Sequence, residues 1–301
     1  MIQLSVVIPV YNGAKTIVRL VEKLHEELCN YAFEIVLVND GSPDNSEEVC
    51  LALSKKYKNI TFVSLRKNFG EFNAVMCGLN QVRGQYAVMI DDDFQNPPSE
   101  IIKLMEEAER TGLDVVYTYY SDKKHNMFRN FGSWLVNQLA THLFNKPKGL
   151  YLSSFKLVSK DIVDEICQYK GPFPYIDGII FSLVSKVGTV LVEHSKREEG
   201  RSNYTFEKLS VLFLTIVFGY SILPARFILL SGFFFTFLGL ALFSLDVWGI
   251  LSEYSITIFL FFGGVQLMSL GIIGEYMGRM FLTQNNYPQF SVKYKVMSHA
   301  E

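Results

Sequence analysis

The sequence lacks the features that mark secreted, zinc-thiolate or nucleic-acid-binding proteins. Its four cysteines form no CxxC pair, which argues against a zinc site or a disulfide framework and favours reduced thiols in the cytosol. The net charge is −2 and the pI is near 6.2, so no basic surface for nucleic acid is expected. The first residues contain no charged segment with a cleavage site and enter a strand pattern at once, so we expect that the first domain is not exported.

The most informative stretch is residues 87–100, which read AVMIDDDFQNPPSE. Ala87–Ile90 is a short apolar run, typical of a strand buried on both faces of a parallel sheet. Pro97 and Pro98 end this strand and begin a helix, for which Ser99 is the predicted N-cap. Three consecutive aspartates therefore stand at the carboxyl end of a buried strand.

The three aspartates predict a divalent cation. Adjacent carboxylates repel one another, so the stability of the protein without a ligand does not explain their presence, whereas a bound cation would. Alternate side chains of an extended backbone share a face, so Asp91, Asp93 and Gln95 can converge while Asp92 points away. Oxygen ligands in a partial shell favour Mg²⁺ or Mn²⁺ shared with substrate phosphates. The alternative is a solvated acidic turn.

Strands and helices alternate along the first third of the chain. Apolar runs predict strands at Leu4–Val10, Glu34–Val38 and Ile60–Leu65, and a helical pattern follows each of them. Asp44, with Glu47 three residues later, predicts a capping box at the start of the second helix. This alternation predicts right-handed βαβ units and a parallel sheet, with ligands beyond the carboxyl ends of the strands.

Polar residues follow three of the predicted strand ends and indicate a crevice of nucleotide size. They are Tyr11-Asn12, Asn39-Asp40 and the segment from Asp91 to Gln95. For Asp40 the alternative is a turn-forming aspartate in the sequence NDGS.

Five segments occur in order along the chain: VVIPVYN, VLVNDGSPDNS, RKNFGEFNAVMCGL, RGQYAVMIDDDFQNPPSEI and REEGRSNYTFEKL. In residues and spacing they resemble the family 2 glycosyltransferases of GT-A fold. The most similar subgroup is the polyprenyl-phosphate glycosyltransferases, which includes bactoprenol glucosyltransferases, undecaprenyl-phosphate aminoarabinose transferases and dolichol-phosphate mannose synthases. The resemblance covers nearly the whole chain and implies an α/β GT-A domain with a mostly parallel sheet that binds a nucleotide sugar.

The resemblance also implies the residues that bind the donor. Asp91, Asp93 and Gln95 match the family's D-x-D-x-Q, the ligands of the metal and the diphosphate. Asp92 replaces the small residue usual between the aspartates, and we count it with them as a donor-binding residue. The other implied donor-binding residues are Pro9, Tyr11, Asn12 and Asp40 at the nucleoside, Asn68 in the following loop, and Arg197, Ser202 and Tyr204 in a closing loop. For Asn68 a plain turn is the alternative, and in the closing loop Asn203 stands in place of the usual lysine.

The acceptor phosphate is assigned to three cationic residues. Arg129 matches a family arginine that binds it, with a solvated basic loop as the alternative, and an arginine suits this role because its planar fork can grip a phosphate at two points. Lys156 stands where the family commonly has arginine, and Arg201 can replace the charge missing at Asn203. Asp177 either lines the acceptor side or caps the helix that follows it. Catalytic roles are implied for Asp93, Arg129 and Arg197.

Apolar residues make up 49% of the 301 residues and the mean hydropathy is +0.19, which is high for a purely soluble enzyme. Phe227–Leu245 and Ser255–Gly274 carry no charge, and each is long enough to cross a hydrocarbon core of about 30 Å. Leu209–Leu223 is uncharged but shorter, and it predicts a helix in the membrane interface. The alternative is that these segments form a dry soluble core.

Positive charges flank the two predicted spans on one side only, while their connecting loop carries Asp246 and Glu253. The positive-inside rule therefore predicts a multi-pass protein of the bacterial inner (plasma) membrane, with the catalytic domain and both termini in the cytoplasm. Glycines in the second span favour close helix packing, including packing in a homo-oligomer. We expect a GT-A domain over residues 1–205, an interface helix over 206–224, two transmembrane helices over 225–282 and a cytoplasmic tail over 283–301.

Together with these features, the resemblance implies inverting transfer of a sugar from a nucleotide diphosphate to undecaprenyl or another polyprenyl phosphate, with UDP-glucose favoured by the subgroup. A lipid phosphate is already ionised and needs charge compensation instead of a general base. One alternative is attack by a sugar hydroxyl, for which Asp93 or Asp177 would be the base. A processive synthase is disfavoured because the sequence has no Q-x-x-R-W, and a non-catalytic nucleotide-sugar-binding scaffold is the alternative from another class.

Overall fold

A computed structural model describes residues 2–120, 141, 146, 150, 152–193, 214, 217–219, 221–247 and 255–297. Contacts divide the chain into two units, of which unit 1 is Met1–Thr205 with Pro288–Glu301 and unit 2 is Phe206–Tyr287. Several predicted site residues lie outside the described residues, namely Arg129, Arg197, Arg201, Ser202 and Tyr204.

Unit 1 is built on a sheet in which eight described strands have the order β7-β5-β6-β4-β1-β2-β3-β8. The strands are β1 (Leu4–Val10), β2 (Phe33–Asn39), β3 (Ile60–Leu65), β4 (Tyr86–Met89), β5 (Val115–Tyr119), β6 (Lys156–Ser159), β7 (Gly188–Leu191) and β8 (Val292–Val296). The described helices of this unit are α1 (Ile17–Glu27), α2 (Ser46–Lys56), α3 (Glu71–Leu79), α4 (Glu100–Thr111), α5 (Lys160–Cys167) and α6 (Ile176–Leu183).

The centre of the sheet is parallel and buried on both faces. β1 pairs in parallel with β2 and β4, and β2 pairs in parallel with β3. All six residues of β3 are buried, and α1 covers the sheet with the apolar face predicted from its spacing. Parallel pairing brings the carboxyl ends of β1, β2, β3 and β4 to one edge, as the strand–helix alternation predicts.

Two strands enter this sheet in the opposite direction. β6 is antiparallel to β4, with Met89 opposite Lys156, so the residues just before β6 lie beside the carboxyl end of β4. β8 is antiparallel to β3 and is the outermost strand on the β3 side of the sheet. We predicted a cytoplasmic tail over residues 283–301, and the structure has the strand β8 within this segment.

The predicted strand bounds for β1 and β3 agree with the structure, but the predicted capping box does not. The N-cap of α2 is Asn45, whose side chain forms no capping bond. Asp44 instead accepts hydrogen bonds from the backbone N–H of Ser46 at 3.1 Å and of Ala14 at 3.3 Å. The side chain of Asp44 is therefore used to join two loops, because it lies outside the helix end. Ser99 is the N-cap of α4 without a side-chain capping bond.

Unit 2 contains two long helices, α7 (Leu223–Val247) and α8 (Ser255–Gln284). Large apolar side chains on both are exposed, among them Phe227, Leu230, Leu267 and Phe281. Within the described ranges, no helix combines the length and hydropathy that a membrane crossing requires, so the two predicted spans are not found there.

Candidate active site

The aspartates after β4 are divided between the two strands that flank it. Asp91 Oδ2 accepts a hydrogen bond of 2.7 Å from Ser154 Oγ, on the β6 side. Asp92 lies on the β1 side, where its Oδ2 is so close to Gly13 that a methyl group added to Gly13 would overlap it. The alternation expected from an extended chain therefore separates Asp92 from Asp91.

Asp93 and Gln95 are held in a tight turn. Asp93 is buried, and its Oδ1 accepts a hydrogen bond of 3.0 Å from the backbone N–H of Gln95. Phe94 between them has φ 60°, which is uncommon for a residue with a side chain and requires support from its surroundings. That support includes Arg19 of α1, whose guanidinium lies 5.1 Å from the centre of the Phe94 ring.

The described residues hold no group of three or more histidine, cysteine, aspartate or glutamate side chains arranged as a metal site. With Asp92 directed to β1, two carboxylates, Asp91 and Asp93, remain near the β4 end. The described part of the protein thus offers a partial shell of oxygen ligands.

Asp40 joins the end of β2 to the loop before α3. Its carboxylate is buried and accepts the backbone N–H of Phe69 at 2.7 Å and of Gly70 at 2.9 Å. Burial raises the pKa of Asp40 to about 6, and the two backbone hydrogen bonds oppose this rise. Gly41 has φ 60°, and a Cβ there would be 2.6 Å from the backbone nitrogen of Asn68. The β2 end therefore lies directly against the loop that carries Asn68, which is exposed.

The end of β1 carries the other residues predicted at the nucleoside. Pro9 is half-buried beside Val38 of β2, and Tyr11 and Asn12 are exposed. Asn12 has φ 58° and donates its backbone N–H to Ser42 Oγ at 3.2 Å. The structure thus brings Tyr11, Asn12, Asp40 and the β4 aspartates to one edge of the sheet.

A buried cluster of Lys156, Asp177 and Tyr117, hereafter the Lys156 cluster, lies on the other side of β4. The Lys156 ammonium forms an ion pair with Asp177 Oδ1 and lies 5.0 Å from the centre of the Tyr117 ring. Tyr117 donates its hydroxyl to the same Asp177 oxygen at 2.8 Å. Burial, followed by the nearby Asp177 carboxylate, raises the pKa of Tyr117, which keeps its hydroxyl protonated.

The Lys156 cluster argues against helix capping by Asp177 and gives Lys156 a partner inside the protein. Asp177 lies in the first turn of α6 but forms no capping bond, so capping is wrong and the carboxylate faces Lys156. Lys156 is 3% exposed and its charge is compensated inside the protein. The partner of the Lys156 ammonium in this arrangement is the Asp177 carboxylate, and a contact between Lys156 and an acceptor phosphate stays a prediction.

Sequence reasoning missed a hydrogen-bonded group that joins three segments of the site. The Tyr120 hydroxyl donates to Asn96 Oδ1 at 2.8 Å and lies 2.9 Å from Ser153 Oγ. Asn96 follows the aspartate segment, and Ser153 and Ser154 precede β6. The two adjacent serines were the only sequence signal considered for this group. Their partners, Tyr120 and Asp91, could not be predicted because they depend on the antiparallel pairing of β6 with β4.

The sequence profile of glycosyl transferase family 2 matches residues 5–167, more than half of the chain. The chain belongs to glycosyltransferase family 2. The match includes β1 to β4, the three aspartates and the strand that begins at Lys156, so the geometry described above is that of a family 2 glycosyltransferase.

This family 2 glycosyltransferase aligns with curated relatives over nearly its whole length. It is 30% identical to the undecaprenyl-phosphate 4-deoxy-4-formamido-L-arabinose transferase of Photorhabdus laumondii, over 97% of this chain and 93% of the relative. It is 31% identical to the enzyme of that name from Pseudomonas savastanoi pv. phaseolicola, over 99% and 92% of the two chains.

Solved structures support the same fold. Glucosyl-3-phosphoglycerate synthase from Mycobacterium tuberculosis, in complex with phosphoglyceric acid, matches with a TM-score of 0.55 and 18% identity over 71% of this chain and 77% of that one. Its complex with Mn²⁺, UDP and glucosyl-3-phosphoglycerate matches with a TM-score of 0.53, 18% identity and the same coverage. The likeness establishes the GT-A α/β fold of this glycosyltransferase.

Proposed function

We propose that this glycosyltransferase transfers a sugar, with inversion, from a nucleotide diphosphate to a polyprenyl phosphate, and that the acceptor is undecaprenyl phosphate. The names of relatives that align over nearly the whole chain support this acceptor. UDP-glucose is the donor favoured by the resemblance to the polyprenyl-phosphate glycosyltransferases. The names of the same relatives favour a second candidate, a nucleotide-linked 4-deoxy-4-formamido-L-arabinose.

The ion pair between Lys156 and Asp177 is the observation that carries the choice of acceptor. A sugar hydroxyl would need a carboxylate base to take its proton, whereas a lipid phosphate attacks as an anion. Asp177 was one of two candidate bases, but its carboxylate is buried and paired with the Lys156 ammonium and the Tyr117 hydroxyl. Asp93, the other candidate, accepts the Gln95 N–H. The pairing of Asp177 favours an acceptor that needs no base.

The residues at the β4 end fit a divalent cation. Asp91 is partly exposed, Asp93 follows it in the same turn, and both provide hard oxygen ligands, which Mg²⁺ and Mn²⁺ prefer. Asp91 and Asp93 would hold the ion, with Gln95 beside them. When bound, such an ion neutralises the negative charge of a departing diphosphate. The Mn²⁺ in the complex of the Mycobacterium tuberculosis enzyme with UDP supports this assignment.

The chain's own residues divide the remaining work. Asp40 fixes the loop that carries Asn68, and with Tyr11 and Asn12 it would form the nucleoside side. Arg197, Ser202 and Tyr204 would close over the donor, and Arg129 and Arg201 would bind the acceptor phosphate. Lys156 would hold Asp177 in place of touching the acceptor.

We also propose that unit 2 attaches the enzyme to the bacterial inner membrane, with the catalytic unit and both termini in the cytoplasm. Phe227 is 73% exposed and Leu267 is 71% exposed, and exposed apolar groups of this size are stabilised by lipid. The chain leaves unit 1 at Thr205 and returns to it at Pro288, so attachment would keep the catalytic unit near a lipid acceptor. The same helices would pair copies of the chain in an oligomer.

The test is to incubate membranes that contain the full-length protein with undecaprenyl phosphate and a panel of radiolabelled nucleotide sugars, and then to extract the lipid. We expect one sugar to appear in the lipid fraction on a phosphodiester that mild acid releases. Label that enters only a preformed lipid-linked glycan would support the hydroxyl acceptor instead. Binding of a nucleotide sugar without transfer of any label would support the non-catalytic scaffold.

A further inference from the structure

Asp92 stands between the two proposed metal ligands but faces a different part of the site. A methyl group on Gly13 would overlap Asp92 Oδ2, and it would also lie 3.0 Å from the side chain of Val10. The carboxylate of Asp92 is therefore in direct contact with the backbone of Gly13. No side chain fits at residue 13 while Asp92 keeps its position.

Gly13 belongs to the turn between β1 and α1, immediately after Tyr11 and Asn12. Its N–H donates to Ser46 Oγ at 3.0 Å, and its carbonyl accepts from the backbone N–H of Thr16 and Ile17 at the start of α1. The turn is thus held from α2 by Ser46 and from β4 by Asp92. A shift of Asp92 would reach Tyr11 and Asn12 through one or two peptide units.

The surroundings of Asp92 also separate it from the proposed cation. Burial and then the charges of Asp92 and Asp44 raise the pKa of the Cys50 thiol, which lies on α2. Asp91, in contrast, is directed to Ser154 on the β6 side. The two neighbouring carboxylates point to opposite sides of β4.

We infer that Asp92 is a positioning residue for the donor nucleoside and not a third metal ligand: its carboxylate packs against Gly13 and fixes the turn that carries Tyr11 and Asn12 relative to Asp91 and Asp93. This inference rests on the proposed function, since it concerns binding of the nucleotide part of the donor. It explains how the chain accommodates a third aspartate where its family usually has a small residue. A glycine in the β1–α1 turn provides the space.

The test is a double-mutant cycle between the two residues in the full-length protein. The variants are Gly13→Ala, Asp92→Ala, the combination of both, and Asp92→Asn, which keeps the shape of the side chain and removes its charge. UDP binding is measured by calorimetry with saturating Mn²⁺, Mn²⁺ binding by electron paramagnetic resonance without nucleotide, and stability by thermal unfolding. Gly188→Ala, whose methyl group would meet Val116 at 3.2 Å, is the matched glycine control.

We expect Gly13→Ala to weaken UDP binding about tenfold or more, and Asp92→Ala to restore most of that loss in the combined variant, because residues in contact are not additive. Asp92→Asn should bind UDP within about threefold of the wild type, since packing is retained. Mn²⁺ binding should stay unchanged in every Asp92 variant. Gly188→Ala and Asp92→Ala should act independently.

Two results would overturn the inference. One is a loss of Mn²⁺ binding in Asp92→Ala, which would make Asp92 a metal ligand. The other is additivity of Gly13→Ala and Asp92→Ala in both UDP binding and thermal unfolding. If the wild type binds neither UDP nor any other nucleoside diphosphate, the proposed function fails, while the unfolding data still report on the contact between Gly13 and Asp92.

Discussion

The two halves of the sheet on either side of β4 hold the site by different means. On the β1–β2–β3 side, carboxylates and hydroxyls bind backbone N–H groups of loops, as Asp40 does with Phe69 and Gly70. On the β6–β5 side, charged side chains bind one another, as Lys156 does with Asp177. In the first half, the carboxyl ends of the parallel strands β1, β2 and β3 face the site. In the second half, the start of the antiparallel strand β6 faces it.

This difference follows from strand direction. Parallel strands bring several loops to one edge, and the N–H groups of those loops need acceptors when they are close-packed. An antiparallel strand brings its first residues to the same edge inside the protein, and here the first residue is Lys156. Because a buried ammonium must be paired, the second half needs a carboxylate from a distant helix.

The largest expected effect is at the boundary between the halves. Asp91→Ala and Asp93→Ala should each reduce sugar transfer to undecaprenyl phosphate by about 100-fold or more, since charge on the leaving diphosphate would lose its compensation. Thermal unfolding should change little, because each variant also removes repulsion between neighbouring carboxylates. Asp164→Ala, at an exposed position on α5, is the control. Undiminished sugar transfer by Asp91→Ala or by Asp93→Ala would exclude a metal at the carboxyl end of β4.

The next effect would sharpen the contrast between the halves. Lys156→Ala leaves the Asp177 carboxylate buried without its cation, which should cost about 3–5 kcal/mol in the free energy of unfolding. Combining it with Asp177→Ala should recover part of this loss. Denaturant unfolding measures both.

The matched control for Lys156→Ala is an ion pair on the surface. Arg110 binds Glu107 at 2.7 Å, but Arg110 is 71% exposed, so Arg110→Ala should cost about 1 kcal/mol or less. If Lys156→Ala is as mild as Arg110→Ala, then solvent reaches the Lys156 cluster. The two halves would then differ in the types of residue that interact, but not in how far those residues are shielded from solvent.

Strand direction also explains which parts of the site could be predicted from the sequence. For β1 and β3 the apolar run and the loop that follows are adjacent in the chain, so both the strands and the positions of Tyr11 and Asp40 follow from local pattern. Lys156 could be identified, but not its partner, because Asp177 lies on a helix whose packing depends on the pairing of β5 and β6. A cation assigned to an anionic substrate was found to bind an internal carboxylate.

The same reasoning applies to β8. Its sequence, VKYKV, alternates apolar and polar residues, but it follows two long apolar helices and has no neighbouring strand in the chain. Its partner, β3, lies more than two hundred residues earlier, with Val63 opposite Lys295. Local pattern therefore could not distinguish an edge strand from a tail.

A smaller effect is expected from the ionisation of Asp40, the buried carboxylate at the end of β2. Asp40 has a pKa of about 6 because burial disfavours its charged form, so folding opposes its ionisation. Below about pH 4 it is protonated in both the folded and unfolded states, and the wild type keeps its full stability there. As the pH rises from about 4 to about 6, the wild type should lose stability relative to Asp40→Asn, by about 1.4 kcal/mol for each unit of the pKa shift, and the difference should become constant above pH 6.

The measurement is the difference in unfolding temperature between the wild type and Asp40→Asn from pH 4 to pH 7.5. Asparagine has one acceptor oxygen for two backbone N–H groups, which gives a constant offset between the proteins. Only the ionisation of Asp40 makes the difference depend on pH. A constant difference over this range would mean that the carboxylate is solvated, and the parallel half would not rely on a buried acceptor.

The smallest expected effect is at β8, the outermost strand, where an exposed ion pair and an aromatic contact can be compared. Lys293 of β8 binds Glu47 at 2.9 Å, but their side chains are 50% and 27% exposed, so Lys293→Ala should cost about 1 kcal/mol or less and less still at high salt. Tyr294 contacts Phe62 edge to face, with ring centres 5.9 Å apart, so Tyr294→Ala should cost more. Thermal unfolding at low and high salt compares them. A larger loss from Lys293→Ala would mean that charge pairing, and not the β3 ladder with its aromatic contact, holds the last strand in the parallel half.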